Sequence, residues 1–248
     1  MTDPLPSLDP AVLDRFAAIV GDRHALRGSA ETLAYTTEPR DLWAAPAAMV
    51  LRPGGVDEIA RIMRLATETG TPIVPQGGNT GLVGGQMPRR GHGEVVLSLS
   101  RLNAIREIDP ASNTVTAEAG VILQNLQKAA EDADRLFPLS LASQGSCEIG
   151  GNLSSNAGGT GVLAYGNARE LCLGVEVVLP TGEVLDDLRK LKKDNTGYDL
   201  KNLFVGAEGT LGVITAAVMK LFPKPRGREM AWAGLASPEA ALRLFELA

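Results

Sequence analysis

The sequence predicts an α+β protein built from two units, and three observations support this fold class. Patterns of helical period alternate with short β-branched runs along the 248 residues. The run LGVEVVLPTGEVLDD places a Pro-Thr-Gly turn between two such runs, which predicts an antiparallel hairpin. Two glycine-rich stretches each follow a strand-like or extended segment. A chain of this length can bury one large core or two smaller ones.

The first unit is predicted over 46–110, after an N-terminal segment 1–45 whose residues 9–20 have the apolar spacing of an amphipathic helix. Within the unit, AAMVLRPG and GEVVLSLS read as strands. A helix is predicted over 56–69 and is ended by Gly70, where a left-handed conformation is needed. The strand TPIVPQ runs directly into the first glycine-rich stretch, PQGGNTGLVGG, at 75–85.

The second unit is predicted over 111–225. NTVTAEAG alternates as a strand does, and VILQNLQKAAEDADRL follows with the spacing of a helix. The second glycine-rich stretch, GSCEIGGNLSSNAGGTG, occupies 145–161. After the hairpin, LFVGAEGTLGVITAAVMKLFPKP predicts two glycine-rich turns and a long strand at 211–222.

The C-terminal segment 226–248 predicts a strand, AWAGLA, followed by a helix that begins at Ser237 and Pro238. This helix runs to the last residue without a C-cap glycine or an exit turn. We therefore expect the segment to be the start of a truncated substrate or cap domain.

Composition narrows the class of protein. The net charge is −5 and the basic residues form no long run, which argues against nucleic-acid binding because phosphates need a basic stripe. Cys147 and Cys172 lack the paired spacing of a metal site and fit a reducing compartment. Without a signal-peptide pattern or a membrane-length apolar run, we expect a cytoplasmic protein, peripheral to the inner membrane at most through an electron acceptor.

The glycine-rich stretch at 75–85 admits three interpretations. A Rossmann turn needs a helix next, but Pro88, Gly91 and Gly93 prevent one, and no GK[ST] triplet of a Walker loop exists. A plain glycine-rich turn remains open for an isolated loop. The stretch at 145–161 has the same mixture of Gly, Ser, Thr, Asn and Gln, and Glu148 is the one charged residue in the two. Together they predict backbone donors that hold a pyrophosphate without a cation.

Four motifs in this order, PQGGNTGLVGG, GSCEIGGNLSSNAGG, YGNARELCLGVEVVLPTGEVL and KDNTGYDLKNLFVGAEGTLGVIT, closely resemble the FAD-binding domain of the FAD-linked oxidase superfamily, of the vanillyl-alcohol-oxidase or PCMH type. The resemblance covers about residues 40–225 and is strongest to the D-2-hydroxyacid dehydrogenases, which include D-2-hydroxyglutarate dehydrogenase, cytochrome-linked D-lactate dehydrogenase and the glycolate oxidase FAD subunit. It implies two α+β lobes with FAD between them.

The resemblance also implies which residues contact FAD. These are Pro75, Gln76, Gly77, Gly78, Asn79, Thr80, Gly81 and Leu82 around the pyrophosphate, Ser143, Ser146, Gly150, Gly151, Asn152, Ser155, Asn156, Gly158 and Gly159 on the other wall, and Glu208, Gly212, Val213 and Ile214 near the adenine end or the flavin edge. Covalently flavinylated relatives have a histidine where this chain has Asn79, so non-covalent FAD is expected.

The implied activity is hydride transfer from the α-carbon of a 2-hydroxy acid to FAD, with electrons leaving to a quinone, a cytochrome or an electron-transfer flavoprotein. The alternatives are a non-catalytic FAD-binding subunit of a multi-chain oxidase and a flavin-free nucleotide-binding module. A homodimer is compatible with the sequence.

Catalytic residues are not identifiable in this sequence. His24 and His92 are its two histidines, and each lies in a segment where a structural or solvent-exposed role is expected. Relatives use an Arg, and histidines with an acid around a divalent metal, all from the C-terminal half, and no such metal set can be built here. We therefore expect the 248-residue chain alone to bind FAD weakly or not at all stably, and to turn over no substrate.

Overall fold

The computed structural model describes residues 8–91, 93–227 and 229–247, so His92 lies outside the described residues. The helices are α1 Pro10–Val20, α2 Ser29–Thr36, α3 Val56–Thr69, α4 Leu123–Asp132, α5 Ile149–Ser154, α6 Val162–Tyr165, α7 Ala168–Leu171, α8 Lys201–Phe204 and α9 Pro238–Leu247. The strands are β1 Ala25–Leu26, β2 Met49–Leu51, β3 Ile73–Gln76, β4 Val95–Ser98, β5 Ile105–Asp109, β6 Thr114–Glu118, β7 Arg135–Leu136, β8 Cys172–Val178, β9 Val184–Asp187, β10 Val213–Lys220 and β11 Phe222–Pro223.

The first sheet has the strand order β1-β2-β4-β3, in which β2, β4 and β3 are parallel and β1 is antiparallel to β2. Helix α3 covers this sheet with its apolar stripe, including Ile59, Ile62 and Leu65, and ends at Gly70 in the left-handed conformation, φ 65°. Its bounds are those that the apolar spacing predicts. Helix α1 packs on α3 and buries Phe16 completely, so the N-terminal segment adds to the same core.

The second sheet has the order β5-β6-β10-β8-β9 and is antiparallel throughout. The predicted hairpin forms β8 and β9, and Gly182 takes φ 78° in the turn. Apolar side chains of β6, β8 and β10 form the core beneath it together with α4 and α5. Strands β7 and β11 form a third, two-stranded antiparallel sheet. Two larger sheets with helices, one parallel in its centre and one antiparallel, make the fold α+β.

The two sheets meet at the chain segment that follows β6. A Cβ atom on Gly120 would lie 2.2 Å from the carbonyl oxygen of Leu99, so glycine is required for the backbones to pass this closely. Ala119 donates its N–H to the carbonyl of Thr215 and accepts a hydrogen bond from the N–H of Gly150. The end of β4, the start of β10 and the second glycine-rich stretch are therefore fastened at one place.

Two sequence-based expectations were wrong in detail. The stretch 145–161 is not one continuous loop, because residues 149–154 form α5 despite two adjacent glycines. Gly150 has a packing reason to be there, since its Cβ would lie 2.6 Å from that of Ala119. The predicted strand AWAGLA is irregular, and Trp232 is fully exposed. No neighbouring strand pairs with it in the described part of the chain, which removes the hydrogen bonds that a strand needs.

The predicted final helix is present as α9. Ser237 caps it by accepting the N–H of Ala240 on its Oγ atom at 3.3 Å. As for membrane insertion, none of the helices in the described ranges combines the length and the apolar character that spanning would require.

Candidate functional site

A cleft opens where the carboxyl end of β3 faces α5 and the turn before β10. Its walls come from three chain segments, 75–86, 147–155 and 208–214, and Leu99 also lines it. The two glycine-rich stretches of the sequence thus lie on opposite sides of one cleft. No Lys or Arg side chain lines it within the described residues.

The first wall keeps its shape through side-chain amides that donate to the main chain. Gln76 donates through Nε2 to the carbonyl oxygens of Tyr35 and Gln86, each at 2.9 Å. The Oε1 atom of Gln76 is buried and has no partner within the described residues. Since both acceptors of Nε2 are carbonyls, the orientation of this amide is fixed.

Asn79 takes the left-handed conformation, φ 52°, which asparagine tolerates better than most residues. Its Nδ2 donates to the carbonyls of Ala34 at 3.0 Å and Thr37 at 2.9 Å, at the end of α2. Through these two hydrogen bonds, the side chain of Asn79 ties the loop to α2.

The main-chain N–H groups of the same loop have no hydrogen-bond acceptor among the described residues. From Gly77 to Gln86 there are ten consecutive N–H groups, and within residues 8–91, 93–227 and 229–247 no carbonyl or side chain accepts a hydrogen bond from any of them. Such donors are satisfied only by water or a ligand. A run of free N–H dipoles along a cleft wall without cations suits an anion or a polar cofactor.

Glycine at position 78 lets the two walls touch. A Cβ atom there would lie 1.9 Å from the carbonyl oxygen of Ser146 and 3.2 Å from the Cα of Cys147. At Gly77 the added atom would lie 3.4 Å from the Cβ of Glu148, which is within van der Waals contact. The main chain of the first loop therefore packs directly on that of the second stretch.

The wall opposite the first loop contains one carboxyl group, that of Glu148. The residue is 6% exposed, and its Oε2 atom is buried without a hydrogen-bond partner among the described residues. Burial raises the pKa of this carboxyl to about 8. At neutral pH the protonated form is therefore favoured.

The structure brings most of the sequence-predicted residues into the cleft. Those that line it are Pro75, Gln76, Gly77, Gly78, Asn79, Thr80, Gly81, Gly150, Gly151, Asn152, Ser155, Glu208, Gly212, Val213 and Ile214. The others, Leu82, Ser143, Ser146, Asn156, Gly158 and Gly159, lie outside the lining.

Residues outside the lining have structural contacts of their own. The side chain of Asn156 accepts the N–H of Arg169 at 3.0 Å. Gly159 has φ 80°, and its Cβ would lie 2.1 Å from the carbonyl oxygen of Ser140. Glycine and asparagine in this stretch thus serve tight turns as well as the cleft.

Residues that line the cleft but were not predicted are Val83, Gly85, Gln86, Leu99, Cys147, Glu148, Ser154 and Gly209. Most adjoin predicted ones and were within reach of the same motifs. Glu148 could have been singled out from the sequence, because it is the one charged residue in the two glycine-rich stretches taken together. No sequence pattern marked Leu99 as a site residue, because it reaches the cleft only where the two sheets pack together in the folded protein.

No histidine lines the cleft within the described residues. His24 lies in the turn Asp22–His24 and is not part of the lining. Its pKa is lowered by burial and by the nearby cations of Arg101, Arg23 and Arg52. The part of the chain that the structure describes contains no group of three or more His, Cys, Asp or Glu placed to hold a metal ion.

Solved structures share this fold. An alkyldihydroxyacetonephosphate synthase matches with a TM-score of 0.78 and 23% identity, covering 92% of this chain and 45% of that one. A p-cresol methylhydroxylase matches with a TM-score of 0.72 and 24% identity, covering 88% and 44%. At these identities the likeness establishes the fold alone. The class is that of the PCMH or vanillyl-alcohol-oxidase type fold, with its cleft between two α+β units.

Sequence comparison narrows the class. The family model described as FAD binding domain matches residues 47–187, more than half of the chain, and the chain belongs to this family. A D-2-hydroxyglutarate–pyruvate transhydrogenase of Saccharomyces cerevisiae is 38% identical over 240 residues, 96% of this chain and 48% of that protein. The mitochondrial D-2-hydroxyglutarate dehydrogenase of Danio rerio is 46% identical over 198 residues, 80% and 37%.

A putative mitochondrial D-lactate dehydrogenase of Schizosaccharomyces pombe is 37% identical over 240 residues, 93% of this chain and 45% of that protein. The chain thus spans about half the length, or less, of these curated relatives. They are oxidoreductases of hydroxy acids by name, and the resemblance stated from the four motifs is confirmed.

Proposed function

We propose that this chain is the FAD-binding part of a flavin-dependent D-2-hydroxyacid dehydrogenase. The observation that carries the proposal is the run of ten unpaired N–H groups from Gly77 to Gln86, eight of which belong to residues that line a cleft with no Lys or Arg in its described lining. Hydrogen bonds to charged oxygens contribute about 1.5 to 3 kcal/mol each, so a few of these donors suffice to hold a diphosphate. Membership of the FAD binding domain family supports FAD as the ligand.

The residues present fit this cofactor. The loop N–H groups would hold the diphosphate, and the Oε1 atom of Gln76 is a buried acceptor that lacks a donor among the described residues. The close approach at Gly78 would keep the two walls at a fixed spacing around it. Bound FAD would supply a hydride acceptor for the α-carbon of the substrate.

Binding would be non-covalent, because Asn79 has no nucleophilic ring nitrogen and donates its amide to α2. Acid precipitation of the FAD-loaded protein tests this directly. The flavin colour should stay in the supernatant, whereas a yellow pellet would contradict the proposal.

The cleft lining contains no imidazole and no guanidinium within the described residues. We therefore propose that the base for the substrate hydroxyl and the cation for its carboxylate come from elsewhere in the protein or from a partner chain. Names of the relatives favour a D-2-hydroxy acid such as D-2-hydroxyglutarate or D-lactate as substrate. Electrons would pass to a quinone, a cytochrome or an electron-transfer flavoprotein.

Two measurements test the proposal. A fluorescence titration should show FAD binding to the 248-residue chain with saturation at one FAD per chain, and weaker binding of ADP. The gene product that contains this sequence should then bleach its flavin anaerobically with a D-2-hydroxy acid and not with the L enantiomer. Absence of FAD binding favours a flavin-free nucleotide-binding module, and FAD binding without bleaching favours a non-catalytic subunit.

We also propose a cytoplasmic location, supported by the two free cysteines, both buried. The Danio rerio and Schizosaccharomyces pombe relatives are named as mitochondrial, so the alternative is an organelle matrix. Expression with a C-terminal fluorescent tag in the native host distinguishes them, since a diffuse cell-wide signal is expected and an organelle or membrane pattern would contradict it.

A further inference from the structure

The carboxyl group of Glu148 lies inside the cleft without a partner. Glu148 is 6% exposed, and its Oε2 atom makes no hydrogen bond to any described residue. The atom lies 3.5 Å from the position that a Cβ of Gly77 would occupy, so it is directly beside the first loop. A buried polar atom of this kind costs free energy unless a ligand satisfies it.

Few charges face this carboxyl. The loop 75–86 and the residues of α5 contribute no charged side chain to the lining, and the segment 208–214 contributes Glu208, which is exposed. Cys147 adds a thiol on the same chain segment. The described lining thus contains no Lys or Arg to stabilise a carboxylate at this position, and burial favours the neutral acid.

Building on the proposed function, we propose that Glu148 is a cofactor-contacting residue whose neutral carboxyl donates one hydrogen bond from Oε2 to an acceptor atom of bound FAD. FAD carries many oxygen and nitrogen acceptors and a diphosphate of negative charge. A carboxylate at this position would repel the diphosphate and could only accept, whereas the protonated acid donates.

This contact couples FAD binding to the uptake of a proton. Burial places the pKa of Glu148 near 8 in the free protein, and FAD would raise it further by binding the protonated form. Below about pH 7 the acid is already protonated and affinity is independent of pH. Above about pH 8 the affinity falls by up to tenfold per pH unit, until the higher pKa of the complex is reached.

Isothermal titration calorimetry at pH 8.5, in two buffers of different ionisation enthalpy, counts the protons taken up per FAD. The wild-type chain should take up a sizeable fraction of one proton. Glu148→Gln keeps a donor of similar size that does not ionise, so it should take up none and should bind FAD at pH 6.5 within about threefold of wild type. Glu208→Gln is the matched control, because its exposed carboxyl lines the same cleft, and it should leave the proton count unchanged.

Equal proton counts in wild type and Glu148→Gln, with FAD bound in both, would overturn the inference while leaving the proposed function intact. Failure of the wild type to bind FAD at any pH would instead overturn the proposed function. If Glu148→Gln does not fold, the wild-type titration from pH 6 to 9.5 decides: an affinity that is flat over this range refutes the contact, and a fall that begins near pH 8 supports it.

Discussion

The contact between the two cleft walls at Gly78 provides the sharpest perturbation. In Gly78→Ala the new methyl carbon would lie 1.9 Å from the carbonyl oxygen of Ser146. Carbon and oxygen atoms of this kind do not approach within 3.0 Å, so the walls must separate by at least about 1 Å. Both partners are backbone, and no side chain can rotate away to relieve the clash. Overpacking of this kind typically costs about 1 to 3 kcal/mol of unfolding free energy.

Gly151→Ala is the matched control for stability. Gly151 lies on the same cleft, within α5, and its added methyl would meet nothing within 4 Å. Because alanine is the better helix former, this variant should gain up to about 1 kcal/mol or be neutral. Urea unfolding followed by circular dichroism gives both values, with equal m-values expected.

Separation of the walls should also weaken FAD binding, because the loop N–H groups and the opposite wall can no longer contact one ligand together. A loss of about 1.4 kcal/mol corresponds to a tenfold weaker Kd, and we expect at least that in a fluorescence titration. Gly227→Ala, remote from the cleft and free of contacts within 4 Å, should bind as the wild type does. A Gly78→Ala protein within 0.5 kcal/mol of wild type and with unchanged FAD affinity would refute this account of the cleft.

Three other perturbations have defined outcomes. Asn79→Ala removes two hydrogen bonds to the end of α2 and places alanine at φ 52°. Urea unfolding should therefore show that the free energy of unfolding falls by about 1 to 3 kcal/mol. An unchanged unfolding midpoint would argue against the tie to α2. Burial raises the pKa of Glu148 in the folded state, so the folded protein binds this proton more tightly than the unfolded chain does. The unfolding free energy of the wild type should therefore fall relative to that of Glu148→Gln as the pH rises from about 4.5 to 8, by up to about 1.4 kcal/mol per pH unit. Parallel plots of unfolding free energy against pH would contradict this. Burial raises the pKa of Cys172 to about 12, so this thiol should stay unlabelled by a disulfide reagent at pH 8 until urea unfolds the chain, and rapid native labelling would show it to be accessible.

Local sequence signals were enough for much of the fold. Helix α3 has the predicted bounds because its apolar stripe and Gly70 specify both its face and its end. The hairpin of β8 and β9 was predictable because its turn residues lie between two alternating runs. Strand β5 was not predicted, because its sequence, IREID, does not alternate strongly between apolar and polar residues. It forms a strand because it pairs with β6.

The sequence predicted which two glycine-rich stretches form the candidate site, but not how their residues are arranged in space. Glycine content indicated close approaches without saying which partner each glycine meets, and Gly78 against Ser146 emerges only from the packed fold. The sequence also left open which polar groups form hydrogen bonds within the protein and which are free to bind a ligand. In the structure, the amides of Gln76 and Asn79 are occupied by main-chain carbonyls, and the backbone donors remain free.

Hydrogen–deuterium exchange with and without FAD tests the central claim, that the free N–H groups of the loop 77–86 hold the cofactor. Without FAD these amides should exchange fast, since no acceptor within the described residues protects them. With FAD at saturation, peptides that cover 77–86 should exchange at least tenfold more slowly, while peptides that cover β6, already protected in the sheet, should not change. Saturating FAD that leaves exchange in 77–86 unaltered would contradict the account.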